Sequence, residues 1–524
     1  MQKALEIGKK SATGSFQLFM GVAASTIIMA IGSITLGILM TQEEYGLYTI
    51  ALIPSYMAIL FADWGVSAAI IKYAASLRAE NKEERTYEIV TAGIIFEIAT
   101  GVTLSVILLS LSSFIASTVF QKPDSSPLIA IASITILAGT LITASQSSFI
   151  GFEKMELNSL TTIFQAIVKS VASPVLVFLG YSTLGAVLGY TVSFLATAII
   201  SLAILYFTII RKLKEKDPTK TGILKTLTEM LHYGFPLSIS TIIGGFRVQF
   251  YAFMMAIYCT EAMVGNYQIA VQFATILTFL TTPISTVLFP AFSKINSRNE
   301  QELLQTVFAS SIKYTAIILI PATTAIMILS KPMIGTVFGE KWTYAPFFLT
   351  LYVISNLFVI FGHIILSSLL AGLGETKTQM KLSLITLTFG IPLALLLIPS
   401  AGIVGLILTS ITSGIPSMFL GLYWIWKSHK AKPDFKSSVK ILMASAVAAA
   451  TTYLTLNFIA FADWVELACG LATFIATYLV TAPLIGAINT SDIKNLKTMF
   501  SGLRIISKLL NIPLNVMEKL AKSP

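Results

Sequence analysis

Two cations stand where an apolar chain has no ordinary use for them. Arg247 falls near the middle of residues 235–259, FPLSISTIIGGFRVQFYAFMMAIYC, a run with no other charge. Lys169 lies midway along a second apolar stretch, residues 158–180. Roughly 16 Å of helix separates it from either interface, farther than a lysine side chain can snorkel. A charge at that depth costs about 2.5–3.5 kcal/mol even on a lenient insertion scale, so each cation answers either a ligand or a buried partner. Helical spacing gives both of them polar company. Ser240, Gly244, Arg247 and Tyr251 share one helix face, and Thr162, Gln165, Lys169 and Ser173 share another. The chemistry within reach is binding: a lysine ammonium and an arginine fork can hold phosphate oxygens, the arginine bidentately. The competing possibility is a buried ion pair with Glu97, near the middle of a third apolar stretch at residues 87–118.

Glu97 is also a candidate for proton or sodium exchange, because a carboxylate in low dielectric needs a neighbouring cation to stay charged. His363, seven residues after Asn356, is a second candidate, although a hydrogen-bonded packing role suits it better. Gln268 and Gln272, one helical turn apart, could line a cavity together with Gln165 and Tyr251, or bridge helices. Asp63 and Trp64 fit a solvated interfacial position. Cys259, Cys469 and three scattered histidines make no metal or redox spacing. No catalytic residue, metal or organic cofactor is expected, and the only cofactor role left open is H+ or Na+ coupling.

The elements that position these residues follow from composition. Over 524 residues the chain is 55% apolar and 11% charged, with a mean hydropathy of +0.82, which excludes a water-soluble globule and implies an all-α polytopic membrane protein. Spanning windows fall at 13–40, 45–71, 87–118, 126–150, 158–180, 183–210, 234–258, 263–291, 313–330, 344–371, 380–399, 402–426, 438–461 and 464–487, about fourteen in all. The first is too long for a signal-peptide core and reads as a retained helix. With the N-terminus inside, 30 of the 35 Lys and Arg fall in cytoplasmic segments, 3 outside, and 2, Lys169 and Arg247, within the bilayer. Both termini are therefore expected in the cytoplasm, and the +10 net charge follows topology, not nucleic-acid binding. Residues 219–232 and 491–522 show apolar faces opposite lysines and are expected to be helices lying on the anionic leaflet.

An internal repeat organises the spans. Gly46-x-Tyr48-x-Ile50-Ala51 opens the second window, and Gly265-x-Tyr267-x-Ile269-Ala270 opens the eighth, 219 positions later. Phe120 and Phe338, Ser147-Ser148 and Ser367-Ser368, and Pro174 and Pro392 keep that offset within one residue. An even number of spans per copy makes the halves parallel, so two six-helix bundles are expected, with two appended helices. The boundaries are 1–212 and 213–430 for the N- and C-bundles, 431–490 for the added pair and 491–524 for a basic amphipathic tail. Shifted by 219, Arg247 corresponds to Ile28, Lys169 to Thr388 and Glu97 to Ala316, so no charge of the three belongs to the duplicated scaffold.

With this repeat, the Gly46/Tyr48 and Gly265/Tyr267 turns, Pro290 and Ser293, Phe338-Gly339-Glu340-Lys341-Trp342 and Gly372-x-Gly374, the whole chain resembles the polysaccharide (oligosaccharidyl-lipid) flippases. These belong to a superfamily shared with multidrug extruders and lipid II flippases. The resemblance implies two bundles in a V around a central cavity. It also implies a polyprenyl-(pyro)phosphate-linked oligosaccharide moved to the outer leaflet by alternating access, often with ion coupling. Lys169 and Arg247 would then hold the pyrophosphate. A plasma-membrane location, membrane lipids and glycan-assembly enzymes as partners, and a monomer accompany that expectation. The alternative is an ion-coupled multidrug or metabolite exporter of the same superfamily. Such extruders usually carry a carboxylate in the first span, where residues 13–40 here hold no charge. An enzyme is disfavoured because Glu43-Glu44, the one paired acid in an outside loop, sits in a loop of about four residues.

The orientation has a direct test. With Cys259 and Cys469 replaced, single cysteines at Thr41 and Ser182 should react with an impermeant maleimide outside intact cells, and one at Thr219 should not. Labelling at Thr219 would reverse the topology.

Overall fold

The computed structural model describes residues 2–80, 82–214, 222–295, 300–458, 461–500 and 504–521, and among them there is helix and no strand. By length and apolarity alone, nine helical segments of the described residues can cross a membrane, or eleven when each bent pair counts as one span. Two of these segments run for 59 and 54 residues, Met155–Leu213 and Thr376–His429. Each is broken inside, the first at Gly180 and Ser182, with φ of +94° and +48°, and the second at Gly402, with φ of +56°. The positive-φ residues explain why an unbroken apolar pattern yields two crossings: the chain reverses at a left-handed backbone without a polar loop.

The chain divides into two compact units, Met1–Gly265 and Asn266–Pro524. The first contains α1 (Gln2–Leu39), α2 (Gln42–Ile59), α3 (Val66–Ala79), α4 (Glu83–Phe114), α5 (Ser126–Gly151), α6 (Met155–Leu176), α7 (Ser182–Leu205), α8 (Arg211–Lys214) and α9 (Ile223–Tyr258). The seventh span, α9, thus packs with the first unit, lying on α2, α3 and α4.

Small residues set the helix spacing in this unit. A Cβ on Gly21 would lie 2.5 Å from Ser159, and one on Gly32 would lie 2.4 Å from the Ser170 hydroxyl, so α1 and α6 meet almost backbone to backbone. Ser159 donates to the Gln17 carbonyl at 2.9 Å and Ser170 to that of Ile28 at 2.8 Å, fixing the register. On the other side of α6, Ser173 donates to the Ala186 carbonyl of α7. Lys169 is held between these two seams.

Polar groups at the helix ends are largely structural. Thr41 and Glu44 close a capping box at the start of α2, and Glu44 also accepts from Ser182 at 2.5 Å. The paired acid of that loop is a cap. Lys122 donates to the carbonyls of Ala256 and Cys259 at 3.2 and 3.1 Å, placing a cation at the C-terminal end of the α9 dipole.

Ile223, Leu224, Leu227, Met230 and Leu231, the apolar face of the segment expected on the leaflet, form the first turns of α9. Met230 is fully buried, with Leu227 and Leu231 beside it, against Val66, Ala69, Ile70, Ile89 and Ala92. Protein, not lipid, covers that part of the stripe, and only Ile223 and Leu224 remain exposed. Residues 215–221 lie outside the described residues.

Beyond α10 (Glu261–Ser293), whose first turn belongs to the first unit, the second unit contains α11 (Gln301–Phe338), α12 (Ala345–Val353), α13 (His363–Gly372), α14 (Thr376–Thr412), α15 (Gly414–His429), α16 (Phe435–Phe458), α17 (Asp463–Leu484), α18 (Thr490–Phe500) and α19 (Arg504–Leu520). The appended pair α16 and α17 lies along α11, where a Cβ on Gly470 would meet Leu329 at 2.5 Å and Tyr478 donates to the Ile317 carbonyl. The tail helices are docked as well. Ile493 and Leu496 are buried, and Asp492 takes Lys313 of α11 at 2.6 Å, with the Lys313 and Asp492 side chains only 15% and 8% exposed.

The repeat leaves a physical trace. A Cβ on Gly46 would lie 1.8 Å from the Glu261 carbonyl oxygen, and one on Gly265 would lie 2.2 Å from that of Gln42. Glu261 follows Gln42 at the repeat offset of 219, so the first turns of α2 and α10 meet reciprocally through the two motif glycines. Gly46→Ala and Gly265→Ala should each destabilise the protein by about 1–3 kcal/mol, read as a lower Tm in detergent. Gly222→Ala, with open space around it, should not change Tm.

Candidate functional site

Lys169 and Arg247 both belong to the first unit, and neither makes an ion pair with a described residue. Their neighbours are aromatic. The Lys169 Nζ lies 5.0 Å from the centroid of the Tyr190 ring on α7, and the Arg247 guanidinium lies 5.7 Å from that of Tyr251, one turn along α9. Tyr190 donates to the Tyr56 hydroxyl at 3.0 Å, and its ring meets those of Tyr48 and Tyr56 edge-on. Lys169 therefore faces a tyrosine cluster drawn from α2 and α7. Gln165 lies one turn before it, half-buried, and Thr162 accepts from Gln146 at 3.2 Å. Tyr251 is 4% exposed with its hydroxyl unbonded among the described residues.

Such surfaces suit an amphipathic anion. The cations supply charge, and the tyrosines supply flat apolar faces that carry hydroxyls. Tyr251 stands out in the sequence by its spacing from Arg247, whereas Tyr190 and Tyr56 do not, because aromatic residues in apolar helices ordinarily fill a core. The available signal was Tyr48 in the repeated Gly-x-Tyr turn.

Glu97 is fully buried on α4, and no hydrogen-bond partner reaches either carboxylate oxygen among the described residues. It pairs with neither cation. The charged group that bears on it is Asp63, expected from sequence at a solvated interface. Asp63 is half-buried in the break between α2 and α3, where its carboxylate accepts from the Ser67 amide at 2.7 Å and the Ser67 hydroxyl at 2.8 Å. Trp64 is 45% exposed, as an interfacial position requires.

The remaining candidates lie in the second unit. Gln268 and Gln272 are half-buried on α10. His363 opens α13 directly after Gly362, φ +75°, at a 53° bend in the span, and its Nδ1 has no partner among the described residues. Asn356 lies on the 3₁₀ turn before that bend and donates to the Val353 carbonyl at 3.2 Å.

Together the two helical units and their apolar spans define a multi-pass helical membrane protein. The solved structure "Lipid II flippase MurJ, inward closed conformation" superposes with a TM-score of 0.70 at 17% identity, covering 89% of this chain and 98% of that one. The family model "Polysaccharide biosynthesis protein" matches residues 11–296, more than half of the sequence, and the chain belongs to that family. "Lipopolysaccharide biosynthesis protein WzxC" of Escherichia coli (strain K12) is 27% identical over 61% of this chain and 62% of its own length. "Probable low-salt glycan biosynthesis flippase Agl15" of Haloferax volcanii is 28% identical over 32% of this chain and 36% of its own. The chain thus matches less than two thirds of the length of these curated relatives.

Because Glu97 touches neither cation, stability effects should add. In double-mutant cycles of Glu97→Gln with Lys169→Gln or with Arg247→Gln, the coupling should stay within about 0.5 kcal/mol. A coupling of about 2 kcal/mol or more would reinstate the buried ion pair.

Proposed function

We propose that the protein is a flippase for a polyprenyl-(pyro)phosphate-linked oligosaccharide, carrying it from the cytoplasmic to the outer leaflet by alternating access. The observation that carries this is the pair of cations, Lys169 and Arg247, set within spans without a counter-ion among the described residues and each lying against a tyrosine ring. An unpaired cation at that depth is retained where a ligand completes it. A pyrophosphate supplies the charge and saccharide hydroxyls match tyrosine and glutamine. The two relatives, a lipopolysaccharide biosynthesis protein and a probable glycan biosynthesis flippase, support the same substrate class. An exporter of cationic drugs fits the sign of these charges poorly.

Arg247 and Lys169 hold the pyrophosphate, while Gln165 and Tyr251 meet the sugars. His363 stays a second candidate for ion coupling. No bond is made or broken, so the protein is a transporter and not an enzyme. It works in the plasma membrane with both termini cytoplasmic, as a monomer that receives its lipid from glycan-assembly enzymes.

The test is flipping of a labelled lipid-linked oligosaccharide in proteoliposomes. Arg247→Gln should reduce the rate at least about tenfold with Tm unchanged, and Arg247→Lys should keep an intermediate rate, since charge survives but the bidentate fork does not. Full activity in Arg247→Gln would remove the cation from the binding role.

A further inference from the structure

The second unit carries a cavity in which the cations of the first unit have no part. It holds about 620 Å³ and opens between the end of α11, the turn Gly339–Lys341, the start of α12 and the first turn of α17. That volume falls within the roughly 300–1,000 Å³ of sites that take small organic ligands. Three carboxylates, of Glu340, Asp463 and Glu466, line it together with the Lys331 ammonium. Beside them stand the rings of Phe347 and Phe461, 52% and 70% exposed, and the buried Trp342 closes the wall.

The lining is held by specific contacts. The Asp463 carboxylate occupies the place a side chain would take on Gly335, where a Cβ would lie 2.2 Å from Oδ2 and 3.0 Å from Oδ1. The half-buried acid of α17 thus rests directly on α11. At the other wall the Trp342 ring meets Phe338 at 6.0 Å, with the Lys341 Nζ 5.7 Å from its centroid. The buried Asn266 side chain accepts from the Tyr344 and Ala345 amides, each at 3.0 Å, and so fixes the start of α12, which carries Phe347.

The charges of the cavity do not pair with one another. No ion pair or side-chain hydrogen bond among the described residues engages Lys331, Glu340, Asp463 or Glu466. The α17 dipole favours acids in its first turn, which suits Asp463 and Glu466. It does not account for Lys331 and Glu340, brought to the same cavity from α11 and the turn after it. A metal ion fits poorly, because among the described residues no three acidic, histidine or cysteine side chains converge to ligate one. Hydroxyl-bearing rings match the mixture better. Carboxylates accept from neighbouring hydroxyls, the ammonium donates to ring and hydroxyl oxygens, and aromatic faces cover the C–H faces of a sugar. Three acids against one lysine also repel an anionic ligand.

We propose that this cavity is a saccharide-binding site of the second unit, one that takes a neutral or amino-bearing oligosaccharide and rejects a phosphate or uronate. It reads the glycan, whereas Lys169 and Arg247 of the first unit read the phosphate. Under the topology expected from the charge bias, residues 331–343 and 461–463 lie outside, so the site meets sugar that has already crossed. That receiving role rests on the flippase function proposed above, whereas saccharide binding does not.

Binding of the purified full-length protein, in detergent, to an array of neutral, amino-bearing and uronic-acid oligosaccharides tests the site without any lipid carrier. Neutral or amino-bearing members should bind, and uronic-acid members should bind at least about tenfold more weakly. Glu466→Gln and Phe347→Ala should each lower the affinity for the bound members at least about tenfold, with Tm unchanged. If Phe347→Ala fails to fold, Glu466→Gln alone decides. Binding to no member, a preference for uronates, or an affinity that Glu466→Gln leaves intact would overturn the proposal. So would a rise in Tm with calcium chloride that Glu466→Gln abolishes, because the cavity would then hold a metal ion. In proteoliposomes, an excess of the same free oligosaccharide outside should slow flipping of the lipid-linked form in the wild type and not in Glu466→Gln. Flipping that the free sugar leaves unchanged would overturn the receiving role and leave a free glycan as the ligand. Saccharide binding with no flipping at all would count against the flippase function alone.

Discussion

A charged side chain inside an apolar span is tolerated only when something completes it, and in the first unit Lys169, Arg247 and Glu97 have no ion-pair partner among the described residues. Lys169 and Arg247 lie over tyrosine faces, and Glu97 faces another acid. The tyrosine contacts lower the cost of burying the two cations without cancelling it. Cation–π contact contributes about 0.5–2 kcal/mol, less than the insertion cost of a midspan charge. An anion at these cations would offset the remainder, and under the function proposed above a substrate carrying phosphate brings it.

Holding such charges in place requires a scaffold that does not yield. The seams on both sides of α6 supply it, with Gly21 and Gly32 on one side and Gly189 on the other letting backbones approach until serine hydroxyls bridge them. Close approach compensates for the weak driving force between helices that are all equally apolar. The same device joins the first turns of α2 and α10 through Gly46 and Gly265, at positions the duplication makes equivalent. Duplication thus built the frame, and none of the three charges has a counterpart in the other copy.

Much of this was legible beforehand, for identifiable reasons. Charge is rare enough in the chain that Lys169, Arg247 and Glu97 stood out, and two glycine turns at a constant offset exposed the repeat. What escaped the sequence was burial and partnership. Tyr190 and Tyr56 looked like core residues because periodicity cannot tell a ring that fills space from one that faces a cation. The amphipathic stripe around Met230 and the tail near Ile493 suggested lipid contact, since an apolar face reads the same whether lipid or protein covers it. Reversals at Gly180 and Gly402 were placed by length alone, and only the positive φ values show how the chain turns there.

The claim on which the rest depends is that the two cations within the spans recognise a phosphate-bearing lipid. It is tested most directly by comparing binding of a polyprenyl-pyrophosphate-linked oligosaccharide with that of the same glycan on an uncharged polyprenyl ether. The pyrophosphate form should bind at least about tenfold more tightly, and that preference should vanish when Lys169 and Arg247 are both replaced by glutamine. Equal affinity for the two lipids, or a preference that survives the double replacement, would contradict it.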